Sequence, residues 1–147
     1  MPGQLIMPKQ TRLDAVAELI AANNLLDGLK VHLYKLDVDP TDQNVLTDFT
    51  ECDFDGYAAS STVVWGPDVF YNSLGQAVVF SDRKDFQSAH PQTKPQTVFG
   101  YYLSHPAVVG PPAVPEKLRL AFRFQAPVPI NDAPDGCSVL VAFPFGQ

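Results

Sequence analysis

"LKVHLYKL", residues 29 to 36, alternates Leu29, Val31 and Leu33 with Lys30, His32 and Tyr34. Successive side chains of a strand point to opposite faces, so a period of two predicts a β-strand with a buried inner face and a polar outer one. Short runs with the same β-branched and aromatic character follow: "STVVW" at 61 to 65, "DVFYN" at 68 to 72, "QAVVF" at 76 to 80, "TVFGYYL" at 97 to 103 and "SVLVAF" at 138 to 143. "SLG" at 73 to 75 reads as a hairpin turn between two of them. In "KLRLAFRF", residues 117 to 124, Lys117, Arg119, Ala121 and Arg123 alternate with Leu118, Leu120, Phe122 and Phe124, predicting one basic face and one buried face. Short strands at regular spacing predict a mainly β fold, an antiparallel β-sandwich or barrel-like domain.

One helix interrupts this pattern. "TRLDAVAELIAANN" offers Thr11 as N-cap with Asp14 three residues on, and Leu13, Val16, Ala17 and Ile20 at helical spacing. The spacing predicts an N-terminal α-helix over about residues 11 to 24, ended by Asn23, Asn24 and Gly28. Fourteen prolines gather in stretches such as "HPQTKPQ" and "SHPAVVGPPAVPEK", which predicts long ordered loops between strands.

The 147 residues suit a single β-rich domain spanning 1–147, with residues 1–10 as an extended N-terminal arm. Only 18% of residues are charged, against a usual value of about 25%, which points to surface buried against a partner. No apolar run reaches the roughly 20 residues that span a bilayer, and "MPGQLIMPKQ" lacks a signal-peptide profile, so a soluble, unexported chain with no membrane contact is expected. Between Asp37 and Asp82 there is no Lys or Arg but there are nine acidic residues, a field that repels nucleic acid. Cys52 and Cys137 form no CxxC pair and read as two buried thiols, with a bridge between distant strands as the alternative.

The acidic stretch contains "TDFTECDFDGYAA", residues 47 to 59. Glu51, Asp53, Asp55 and Gly56 match positions 1, 3, 5 and 6 of an EF-hand loop, which makes the three carboxylates metal candidates. Position 12, where a bidentate Glu is required, is Thr62, and strands rather than helices flank the segment. The preferred reading is therefore a structural corner: Phe49, Phe54 and Tyr57 anchor an irregular crossing, Gly56 permits a sharp turn, and the carboxylates face water. No metal and no other cofactor is expected.

Signs of catalysis are few. His32, His90 and His105 could each act as a base, but no GxSxG elbow or Cys-His signature accompanies them. Ser104 adjoins His105 only in sequence, and neighbours in a strand point to opposite faces. The expectation is a protein that is not an enzyme. A hydrolase would instead require a pocket joining one histidine to a carboxylate and a nucleophile.

"LTDFTECDFDGYA" at 46 to 58, "VFGYYL" at 98 to 103 and the opening "LIAANNLLDGLKVHLYKLDVDP" together resemble a group of small proteins encoded among the virion genes of tailed bacteriophages. Members of that group look like an N-terminal helix, an alternating strand, a "DFTEADFxGYA"-type segment, an aromatic-rich middle and a "GYY" strand. The similarity covers roughly the first two-thirds of the chain; the proline-rich "SHPAVVGPPAVPEK" and the basic strand after it lie outside it. The resemblance implies a virion structural role and supplies no catalytic residues. The expected function is that of a capsid decoration (cement) protein, acting as a small closed homo-oligomer such as a trimer on the major capsid protein or another virion protein. Leu5, Ile6 and Met7 at one end, and Phe143 and Phe145 at the other, are the expected contact residues, unless they complete the chain's own core. The alternative is a sugar-binding or host-recognition module of a phage fibre or tail, which requires exposed aromatics around Trp65, Tyr71 or Tyr101.

Overall fold

The computed structural model describes residues 3, 5–6, 28–71, 73, 77–132 and 135–144. The alternating segment at 29–36 forms a strand as its period requires, β2 (Lys30–Tyr34), preceded by the short β1 (Leu5–Ile6). A single 3-10 turn (Leu46–Asp48) follows, then β3 (Trp65–Tyr71), β4 (Ala77–Ser81), β5 (Lys84–Gln87), β6 (Gln96–His105), β7 (Lys117–Ile130), β8 (Gly136–Val139) and β9 (Ala142–Pro144). The fold is mainly β and antiparallel. The strands form three sheets, ordered β1-β7-β6-β2, β3-β4-β9 and β5-β8, and among the described residues none closes into a barrel.

Leu29, Val31 and Leu33 are fully buried with Val98, Leu103, Leu120 and Ile130, and Phe54, Phe86, Val139, Val141 and Phe143 join the same cluster. The main core therefore lies between the inner face of the four-stranded sheet and the elements of the other two. The outer face of that sheet carries a second cluster, Tyr34, Phe49, Tyr102 and Ala121, with Val38 and Leu46 packed on it from the 35–49 loop. Gly100 is essential where β6 passes Tyr34, because a Cβ there would lie 2.6 Å from the Tyr34 hydroxyl and closer still to the Phe122 carbonyl.

β2 would be a bare edge, a surface open to pairing with foreign strands. Residues 50–63 cover it instead: Cys52 donates its N–H to the Leu33 carbonyl, Ser60 to Val31 and Val63 to Leu29, at 2.9, 3.0 and 2.7 Å. Between these anchors the chain leaves β2 and returns, and this excursion is the acidic corner.

Several sequence expectations require correction. "STVVW" supplies only Trp65 to a strand, because its preceding residues are used in covering β2. "SVLVAF" is not one strand: β8 pairs with β5 and β9 with β4, and the break falls at Leu140–Val141. Ser81 holds that break, its N–H donating to the Val141 carbonyl and its Oγ accepting the Val141 N–H, both at 2.9 Å. The polar β5, Lys84–Gln87, has no apolar alternation beyond Phe86 and was not anticipated. Between the pairs Leu103–Leu120 and Ser104–Leu118 the register slips, leaving Arg119 of β7 as a bulge that places Leu118 with the outer cluster rather than with Leu120. The basic face is not open either: Arg123 pairs with Asp37 at 2.6 Å and Asp39 at 3.3 Å and lies over the Phe99 ring. The helix expected over residues 11 to 24 lies outside the described residues.

Candidate functional site

His32 stands on the outer face of β2, 7% exposed, with its ring stacked on Tyr102 of β6 at 4.8 Å and nearly parallel to it. Its Nδ1 is 2.6 Å from Glu51 Oε2, and its Nε2 is 2.9 Å from Ser104 Oγ. The same Ser104 Oγ lies 2.5 Å from Glu116 Oε2, which is itself 3.4 Å from the imidazole. Three pieces of chain thus meet at one ring: the crossing at Glu51, strand β6 at Ser104, and Glu116 at the foot of the β6–β7 hairpin. Tyr57 completes the set, donating its hydroxyl to Glu51 Oε2 at 2.6 Å and accepting the Leu33 N–H at 3.0 Å.

Burial works to raise the Glu51 carboxyl, but the hydrogen bonds from His32 and Tyr57 outweigh it and hold the group below its ordinary value. Burial pushes the Tyr57 and Tyr102 hydroxyls upward, so both remain protonated. Serine, histidine and glutamate here stand in the order of nucleophile, base and orienting acid. Ser104 is nevertheless fully buried, its hydroxyl is bonded to Glu116, and its backbone lies in the ladders to both Lys30 and Leu118. The arrangement is a closed polar latch in which Ser104 is shut off from solvent. Two open grooves, of about 470 and 320 Å³, lie elsewhere, along Asp85–Gln87 with Gly136–Ser138 and along Phe122, Phe124 and Leu140.

The metal candidates do not converge. Glu51 serves His32 and Tyr57; Asp53 accepts from Lys35 Nζ at 2.6 Å and from Gln96 Nε2; Asp55 accepts from the Thr93 N–H at 2.5 Å and the Thr93 hydroxyl at 2.6 Å. Lys35 holds the Asp53 carboxyl, and Thr93 the Asp55 carboxyl, below the usual range. Among the described residues no three His, Cys, Asp or Glu side chains gather as a metal would require. Of the corner residues, Phe49 and Phe54 are buried, Tyr57 packs on Phe54 and Phe86, and Gly56 has φ +92°. The carboxylates of Asp53 and Asp55 fasten the crossing to the 92–96 loop.

Sequence reasoning considered Ser104 only beside His105 and missed its partner 72 residues away. His105 instead accepts from Arg119 Nε at 2.7 Å, and His90 lies 2.9 Å from the Asp132 carboxylate in an exposed loop. Shared outward parity of His32 and Ser104 on their strands was the one available signal, and it becomes useful only once β2 and β6 are known to pair.

Of the expected contact residues, Leu5 and Ile6 pair with Phe122 and Ala121 of β7, and Phe143 is 3% exposed against Trp65, so Phe143 completes the chain's own core. Met7 and Phe145 lie outside the described residues. Trp65 and Tyr101 likewise pack into the core, which removes them from an exposed aromatic platform. What the structure does expose is the tip of the β6–β7 hairpin. Val108 and Val114 bridge each other there, and Val109, Pro111 and Pro112 stand beyond them, with Val109 97% exposed.

The fold and site together define an antiparallel, mainly β protein with a buried histidine–carboxylate latch and a projecting apolar hairpin. No protein-family model matches the chain, and neither a curated protein nor a solved structure matches it at a significant level.

Proposed function

We propose that this chain is a bacteriophage virion structural protein, a capsid decoration (cement) protein that stabilises the particle through subunit contacts and performs no catalysis. The observation that carries the reading is the 108–114 hairpin tip. Valines and prolines at a projecting tip lose free energy in water and regain it only when covered, roughly 25 cal/mol for each Å² buried. Proline also limits the freedom such a loop loses on binding. The resemblance of residues 46–58 and 98–103 to phage virion proteins supports the same reading.

The partner is the major capsid protein or another virion protein, and the protein acts as a small closed homo-oligomer such as a trimer, located in the virion. Its core packing fits an open antiparallel sandwich, and residues 1–10, the segment that contains β1, act as the contact arm. Purified particles separated on a density gradient should contain the chain at hundreds of copies. A few copies would indicate a fibre or tail position, and absence from particles would overturn the reading. Deleting residues 1 to 9 should weaken attachment while the β-sheet circular dichroism signal persists; loss of folding would refute the arm.

A further inference from the structure

We propose that the cluster of His32, Ser104, Glu116 and Glu51 binds one proton beyond what a neutral imidazole and two carboxylates carry, and that this proton fixes the stance of the apolar hairpin. The inference rests on counting donors. Ser104 has one hydroxyl hydrogen and two neighbours at bonding distance, His32 Nε2 at 2.9 Å and Glu116 Oε2 at 2.5 Å. An ionised carboxylate only accepts, so the hydroxyl hydrogen goes to Glu116. The contact with Nε2 is then a bond only if Nε2 carries a hydrogen. On the other side of the ring, Glu51 Oε2 also only accepts, and Nδ1 at 2.6 Å must donate to it. Both ring nitrogens are therefore protonated, and His32 is an imidazolium between two carboxylates.

The alternative position for the extra proton is Glu116, which would donate to Ser104 while Ser104 donates to Nε2. The Glu116 side chain is 35% exposed, so water is at hand to solvate its charge, whereas the imidazole, 10% exposed, has its compensation from the two carboxylates alone. The other groups around the ring are Tyr57 from the crossing and Tyr102 from β6; Lys30 shares the outer face of β2.

Removing the proton leaves two net negative charges at the ring instead of one, and Ser104 can then serve only one neighbour. Glu116 is the member attached to a loop, so it is the one released, and with it the foot of the hairpin whose tip carries Val109. The cluster thereby couples pH to the surface proposed above for partner binding; only this consequence rests on that reading, because the proton count stands on the isolated chain.

Nitrogen-15 NMR of the His32 ring in the purified chain tests the count directly. Both nitrogens should show the protonated shift in the folded chain, and one unprotonated nitrogen would overturn the proposal even if the protein were found in particles. The second arm is amide exchange at Val108 and Val114 at constant pH. Glu116→Gln should lower their protection by about tenfold, the scale of one lost charge-assisted bond, while Glu51→Gln, on the far side of the ring, should affect the crossing instead. Unchanged protection in Glu116→Gln would show that the cluster does not hold the hairpin.

Discussion

The Tyr57 hydroxyl lies 2.6 Å from Glu51 Oε2, and this bond closes the acidic crossing upon itself. Because the same oxygen of Tyr57 accepts the Leu33 N–H, the crossing is also tied to the backbone of β2. Tyr57→Phe keeps the ring stacked on Phe86 but orphans the Leu33 N–H in a buried strand. A loss of about 1–3 kcal/mol in urea unfolding at neutral pH is expected. A change below a few tenths would show that the bond is dispensable.

Glu51 gives the protein an acid-sensitive element. Its carboxyl is held below the ordinary value in the folded state, so its stabilisation is complete above the ordinary carboxylate range and is lost as pH falls through the depressed value. Glu51→Gln should cost about 1–2 kcal/mol at neutral pH, a figure reduced because the side chain is 37% exposed. The difference from the parent protein should shrink on acidification. Melting curves recorded from neutral to acidic pH measure it, and a gap that widened in acid would contradict the assignment.

Gly100 and Gly56 should both be intolerant of alanine. At Gly56 the left-handed backbone is strained for any side chain, and an added Cβ would lie 2.7 Å from the Ala89 nitrogen. At Gly100 the obstacle is packing against Tyr34 and the Phe122 carbonyl. Each substitution is expected to cost about 1–3 kcal/mol or more. Comparable denaturant midpoints for Gly100→Ala and the parent would mean that β6 and β2 can separate freely.

Cys52, buried, and Cys137, half-buried, are free thiols that should resist modification. Burial pushes the Cys52 thiol up to about 12 and the Cys137 thiol to about 11, so very little reactive thiolate exists at neutral pH. A disulfide-exchange reagent should titrate two thiols promptly in denaturant and far more slowly in the native protein. Equal rates in both conditions would contradict their burial.

Val109→Asp places a charge at the hairpin tip without touching the core. Its unfolding free energy should stay within about 0.5 kcal/mol of the parent's. Occupancy on purified particles should fall about tenfold or more, measured by quantitative gel densitometry. Undiminished occupancy would remove the hairpin from the contact surface.

How much of this was legible beforehand follows from the range of each interaction. The β2 strand was readable because its period of two is written into neighbouring residues; the burial of its outer face at His32 and Tyr34, against the expected polar face, was not. β5 was not, since Lys84 is buried through bonds to Ser61, Thr62 and Asp82 that no local pattern reveals. "SVLVAF" misled for a related reason: its apolar run is continuous, but the sheets it serves are different ones. The calcium-like spacing at Glu51, Asp53 and Asp55 was also local, and it dissolved because each carboxylate meets a different distant donor.

By itself the sequence determined the antiparallel β character, the aromatic anchoring of residues 49–57 and the loops made by proline, all consequences of side-chain periodicity and backbone preference over a few residues. Only the tertiary structure decided that His32 would meet Ser104 and Glu116, that Phe143 would be spent on the core and that the 108–114 tip would be left in water. Those outcomes depend on strand register and, for the 103–118 end of the β6–β7 ladder, on the bulge at Arg119. A shift of one residue in either would turn the same side chains to the opposite face.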